Sequence, residues 1–172
     1  IPQQAINFCI ILPFIAVSLL LSGCASSSKE KNPSKKYSTL RLYGAVPPDQ
    51  TGRHQSVQIY RRTPIMMSVA AEPFLDEGYI VEATVVEAVG GFMLRIQYDK
   101  HGAGVLEIAT HRMRNQHIAI HSSFPETRWL AAPVIDAPIS NGLLVFTPDA
   151  TREEADRIAI GLNALAKKLR KD

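Results

Sequence analysis

Apolar and polar residues divide the chain into a leader, a polar stretch and a patterned body. Ile6 to Leu21 is apolar apart from Asn7 and Ser18. Such a run is too short for a comfortable bilayer span, which needs about 20 apolar residues, but suits the apolar core of an export signal. Ala25 to about Lys36 is rich in Ser and Lys, with one Pro. Too little surface can be buried there to order it, so a flexible spacer is expected. Tyr37 to Val46 is mixed and is closed by Pro47-Pro48-Asp49 and Gly52. The compact domain is therefore expected to start near residue 53.

Within the body, period-two alternation comes first. Val57 to Arg62 reads as a strand ending before Pro64, and Ile65 to Val69 as a second short one. Pro73 to Gly78 reads as a turn or single helical turn. Tyr79 to Glu87 follows as a strand with Val81, Ala83 and Val85 inward. Gly90-Gly91 marks a hairpin turn into Phe92–Tyr98, the cleanest alternation, with Phe92, Leu94, Ile96 and Tyr98 on one face. The period then changes. Val105, Leu106, Ala109 and Met113 predict an amphipathic helix over about 103–115. Ile118 and Ile120 belong to a strand, Trp129 to Ile135 to another after a turn over Ser122 to Thr127, and Leu143 to Thr147 to a third. Thr151-x-x-Glu154 is a capping box opening a last helix, along which Ala155, Ile158, Leu162, Leu165 and Leu169 form an apolar stripe. The expectation is an α+β domain: one antiparallel sheet of about five strands with two helices packed on one face.

Composition narrows the function. The chain has 172 residues, and its 19 Lys+Arg and 16 Asp+Glu all lie beyond the leader. About 120 residues remain after leader and spacer, enough for one domain with a real core. The slight basic excess sits in spacer and helix surface and implies no nucleic-acid site. Cys9 falls in the leader and Cys24 at its end, so the domain has no cysteine for a disulfide or a metal.

Leu21-Ser22-Gly23-Cys24 followed by Ala25-Ser26 resembles the lipobox of bacterial lipoproteins. The resemblance implies a signal peptide over 1–23, a covalent lipid on Cys24 as the only attached group, and a lipidated tether over 24–52. Acyl chains contribute roughly 0.8 kcal/mol per buried methylene, so two or three form a stable membrane anchor. Expected is a lipid-anchored, periplasm-facing envelope protein. Ala25-Ser26 lacks the acidic residue of inner-membrane retention, which favours the outer membrane. No Met and no basic segment precede the apolar core, and a truncated N-terminus is expected.

From about Pro73 to Leu169 the chain resembles the head of the first large periplasmic domain of SecD, the protein-export subunit. The resemblance rests on Pro73-Phe74-Leu75 with Glu82-Ala83-Thr84-Val85, and on Ile118-Ala119-Ile120 followed by Ala132-Pro133-Val134-Ile135 and Ile139-Ser140-Asn141-Gly142. It rests also on Thr151-Arg152-Glu153-Glu154-Ala155. The family's Asp-Gly turn is replaced by His121 to Glu126, and the glycine before its last helix by Thr147-Pro148-Asp149. A proton-driven motor needs ionisable residues in membrane helices, and no such activity is expected of this chain. The resemblance implies a head that contacts polypeptide.

Catalytic chemistry finds little footing. His117 and His121, two alternations apart, are expected on one solvent-facing side, with His111 nearby. Zinc needs three or four convergent ligands, and no neighbouring carboxylate or cysteine completes a set. Ser122 and Ser123 beside His121 lack a Gly-x-Ser-x-Gly elbow. Asp76-Glu77 and Glu153-Glu154 read as turn and helix-start charges. Neither a catalytic residue nor a metal is expected. For a partner, Phe124, Pro125 and Trp129 offer an apolar tip, although Trp129 also reads as an ordinary core aromatic of a strand. Strands beside Pro133 or Pro138 offer sheet edges to which a peptide could add. Two functions are thus expected: a non-enzymatic envelope lipoprotein that binds protein or peptide in export or envelope assembly, or a structural subunit of a larger envelope complex with no client.

Overall fold

The computed structural model describes residues 37–48 and 52–171. Eight strands and two helices follow in the order β1 (Thr39–Gly44), β2 (His54–Ile59), β3 (Ile65–Ala70), β4 (Ile80–Ala88), β5 (Gly91–Tyr98), α1 (Lys100–Arg112), β6 (Ile118–Ser123), β7 (Thr127–Ala131), β8 (Leu143–Phe146) and α2 (Arg152–Leu169). The class is α+β, but the strands form three small antiparallel sheets, β1-β6-β7, β2-β3 and β4-β5-β8, and not one sheet of five.

The reason lies in β6. Ile118, Ala119 and Ile120 are all fully buried, on both faces of the strand. Ile118 and Ile120 join Leu40, Leu42 and Leu130 in the main core, whereas Ala119 faces a second, smaller core with Tyr43, Val57, Ile59 and Val69. A continuous apolar run is the signature of a strand covered on both sides. Sheet β1-β6-β7 is therefore a middle layer, with the β2-β3 hairpin over one face and the main core against the other.

Folded structure begins upstream of residue 53, where the pattern placed the start of the domain. Leu42 of β1 pairs with Ile120, and Leu40 and Leu42 are sealed from water. Only these two leucines advertise the strand, and its opposite side carries Arg41 and Tyr43. The chain then leaves β1 to meet β3, Val46 N–H donating to the Ser68 carbonyl at 3.0 Å.

Three boundaries move for local reasons. A bulge between Ile80 and Glu82 resets the alternation of β4, so Ile80 and Ala83 point inward and Val81 is exposed, not buried. Helix α1 starts at Lys100 because Asp99 caps it, its carboxylate accepting from Gly102 N–H at 2.7 Å. Two glycines in the first turns hide that start from a periodicity argument. Strand β7 stops at Ala131, short of the predicted Ile135. Pro133 has no N–H, and Val134 instead forms an isolated bridge to His117. The predicted capping box is present: Glu154 N–H donates to Thr151 Oγ1 while Thr151 N–H donates to the Glu154 carboxylate at 2.7 Å. No helix among the described residues is long and apolar enough to cross a membrane.

Candidate partner-binding surface

Sheet edges expose main-chain donors and acceptors, and on several edges here those groups meet partners from elsewhere in the fold. The outer edge of β1 is met at Leu42, whose N–H donates to Leu75 O at 2.8 Å and whose carbonyl accepts from Phe74 N–H. On β7, the Leu130 carbonyl accepts from Asp149 N–H at 2.7 Å. Strand β8 is four residues long, and the Leu143 N–H is held by Asn141 Oδ1.

The β4 edge is covered by a helix. Asn163 of α2 accepts from Ala83 N–H at 2.9 Å and donates to Ala83 C=O at 2.8 Å, filling the place of a neighbouring strand with one side-chain amide. Arg170 donates to the carbonyls of Ile80 and Val81, and Arg152 pairs with Glu87 at the other end. Three contacts in opposite order along the two elements lay α2 antiparallel beside β4.

Strand β2 differs. Main-chain groups of successive residues alternate between the two sides of a strand. Ser68 of β3 turns its carbonyl to Val46, away from β2, so its register partner Ser56 also points away from the ladder. His54, Ser56 and Gln58 therefore direct their main-chain groups outward. For Ser56 and Gln58, no partner of those groups occurs among the described residues. The Gln55, Ser56 and Gln58 side chains are exposed, while Val57 and Ile59 anchor the strand in the second core.

The hairpin is fastened to the body by charge. Arg61, just past β2, meets Asp149 Oδ2 at 3.2 Å and Glu154 at 3.5 Å, and Arg128 of β7 meets the same Glu154 at 2.8 Å. Burial alone raises the Glu154 pKa. The Thr151 N–H and the Arg128 and Arg61 guanidiniums outweigh that effect and hold it below the usual carboxylate value. Tyr60 adds a neutral fastener, its hydroxyl accepting from Ala132 N–H at 2.9 Å.

The residues singled out by sequence separate. Phe124 is 2 % exposed and part of the main core, so it forms no exposed tip. It was misplaced because a Phe-Pro pair in a turn looks like a surface loop. Arg128 lies over its ring, 5.3 Å from the centroid. Trp129 is half-buried against the second core, 5.0 Å from the Tyr43 ring and 4.9 Å from His121. Pro133 is half-buried, and its carbonyl accepts from Ile118 N–H, so this stretch offers no open edge there.

His121 does not lie on an open face: it is half-buried between Tyr43 and Trp129. Burial, and secondarily the Arg41 charge, lowers its pKa. His117 Nδ1 is 2.7 Å from the Ala132 carbonyl. No group of three His, Cys, Asp or Glu able to hold a metal occurs among the described residues. Cys24 and the lipobox residues Leu21, Ser22 and Gly23 lie outside the described residues. Sequence reasoning missed the β2 edge. Its only signal was a strand with four polar side chains between Pro48 and Pro64, and its pairing could not be read locally.

No protein-family model matches the chain, and no curated protein does. Solved structures do. A SecDF chain, described as a membrane component that enhances protein export, superposes with a TM-score of 0.56 at 18 % identity, covering 84 % of this chain and 71 % of that one. SecDF in its Super-membrane-facing form gives 0.53 at 18 % identity, covering 74 % of this chain and 19 % of that one. At that identity what is shared is the fold, and the domain is SecD-head-like in fold.

Proposed function

We propose that this chain is a non-enzymatic envelope lipoprotein whose domain binds extended polypeptide by adding it as a strand to the outer edge of β2. The observation that carries this reading is the pair of outward main-chain positions at Ser56 and Gln58, neither met by a partner among the described residues, whereas β1, β4 and β7 each carry a partner on their outer edge. The likeness to SecDF, described as enhancing protein export, supports a polypeptide as the ligand. Two outward residues offer four main-chain hydrogen bonds. At about 1 kcal/mol net for each, they give roughly 4 kcal/mol, a millimolar grip that suits transient holding. Side-chain contacts would add the selectivity.

Location belongs to the same proposal: acylation of Cys24 holds the domain at the periplasmic side of a membrane, by the sorting rule the outer one. Growth with labelled palmitate, comparing the parent with Cys24→Ala, tests it. Label retained by the variant refutes it.

For the edge, the test is Ser56→Pro. Proline deletes an outward N–H that makes no bond within the hairpin, so the ladder survives while the donor is lost. Binding of a permanently unfolded, reduced and alkylated polypeptide is expected to weaken about fivefold, the worth of one such bond. Unchanged binding by a folded variant would place the ligand elsewhere.

A further inference from the structure

The last turn of α2 and the two residues after it bring four cations together, Lys167, Lys168, Arg170 and Lys171, and all four are exposed. Arg170 is occupied by the β4 carbonyls. The three lysines line a shallow groove of about 630 Å³ with Tyr37 and Ile160, and none of its lining residues is acidic. Basic residues at a helix C-terminus favourably meet its dipole, but that alone would not ask for an apolar companion. Ile160, Ala164, Lys167, Lys168 and Lys171 recur at helical spacing on one face, and Ile160 is 69 % exposed. Lys168 Nζ stands 5.5 Å above the Tyr37 ring. The groove is thus also where the chain enters the domain.

We infer that this face docks on an anionic bilayer surface, the lysines meeting lipid phosphates and Ile160 entering the headgroup region. The inference rests on the acylation of Cys24 proposed above. Twelve residues separate Cys24 from Tyr37, at most ~45 Å of chain. They carry Lys29, Lys31, Lys35 and Lys36 against a single Glu30. An anchor at Cys24 therefore delivers the Tyr37 end of the domain to the membrane, and the basic groove arrives first. Lysines beside exposed apolar groups suit the headgroup region of a bilayer, and each lysine near anionic lipid strengthens attachment by a factor of about 5. Docking this face would leave β2, on the far side of the middle sheet from the main core, available to a client.

The test uses the full-length protein purified from membranes, with mass spectrometry reporting the lipid on Cys24. An environment-sensitive dye at Ala164→Cys is read in phosphatidylethanolamine vesicles with and without phosphatidylglycerol and with a headgroup-attached quencher. Quenching that needs phosphatidylglycerol, and that is lost in 0.5 M salt or in the Lys167→Glu, Lys168→Glu, Lys171→Glu variant, is the expected result. Equal quenching in both vesicle types by anchored protein overturns docking while leaving acylation intact. Should Cys24 prove lipid-free, the anchoring reading fails by itself. Cosedimentation of the unlabelled chain with phosphatidylglycerol vesicles then decides docking, with a loss of ~150-fold in the triple variant upholding it and no cosedimentation overturning it.

Discussion

Strands β2 and β4 both sit at the edge of a small antiparallel sheet, yet they treat that edge in opposite ways. On β4 the Ala83 N–H and C=O are both met by the Asn163 amide, and Arg170 takes two carbonyls further along. On β2 the corresponding groups of Ser56 and Gln58 face outward with no partner among the described residues. Exposed edges invite association, and proteins blunt them where association is unwanted. The contrast separates an edge the fold closes with its own helix from an edge that, in the proposed function, receives another chain.

The largest predicted effect separates core from binding edge. Phe124→Ala should cost about 3–5 kcal/mol of stability, because the side chain fills the main core. Denaturant unfolding measures it, and a loss of peptide binding with stability unchanged would return Phe124 to the surface. Next comes the closed edge. Asn163→Leu strips partners from two main-chain groups of Ala83, a residue 1 % exposed, for an expected loss of about 2–4 kcal/mol. It should also permit concentration-dependent self-association through β4, visible by sedimentation. Ser56→Pro, at the open edge, should cost under ~1 kcal/mol, since no internal bond is removed. A cost equal to that of Asn163→Leu would erase the distinction between the edges.

The smallest effect concerns the core beneath β2. His121 is held neutral by burial, and secondarily by Arg41, so its folded pKa lies below the ordinary 6.5. As pH falls below 6.5 the unfolded chain takes up a proton before the folded one does, and stability drops until the folded pKa is passed. Thermal unfolding at pH 7.5 and pH 5 should show this difference, and His121→Phe should reduce it. An unaltered pH dependence in the variant would move the effect to another group.

What could be read from sequence follows the reach of each signal. The capping box, the β4–β5 hairpin and the first part of the α2 stripe are local and emerged in place, while the stripe's end, Leu169, is exposed. The SecDF-like fold was carried by short segments in the right order. The middle layer was illegible because β1 shows two leucines only, and its burial is fixed by β6, some 80 residues away in sequence. The bulge at Val81 depends on how β4 meets β5, which no alternation within β4 reveals. Phe124 was misjudged from its turn context, and the open edge of β2 is a statement about missing neighbours, which sequence does not carry.

Amide hydrogen exchange tests the contrast most directly, because it reports the individual N–H groups of both edges. In the protein alone, the Ser56 and Gln58 amides should exchange rapidly while the Ala83 amide, bonded to Asn163, is protected. Saturation with a reduced and alkylated polypeptide should protect Ser56 and Gln58 and leave Ala83 as it was. Slow exchange at Ser56 and Gln58 in the free protein, or no gain of protection with ligand, would contradict an edge kept open for a client strand.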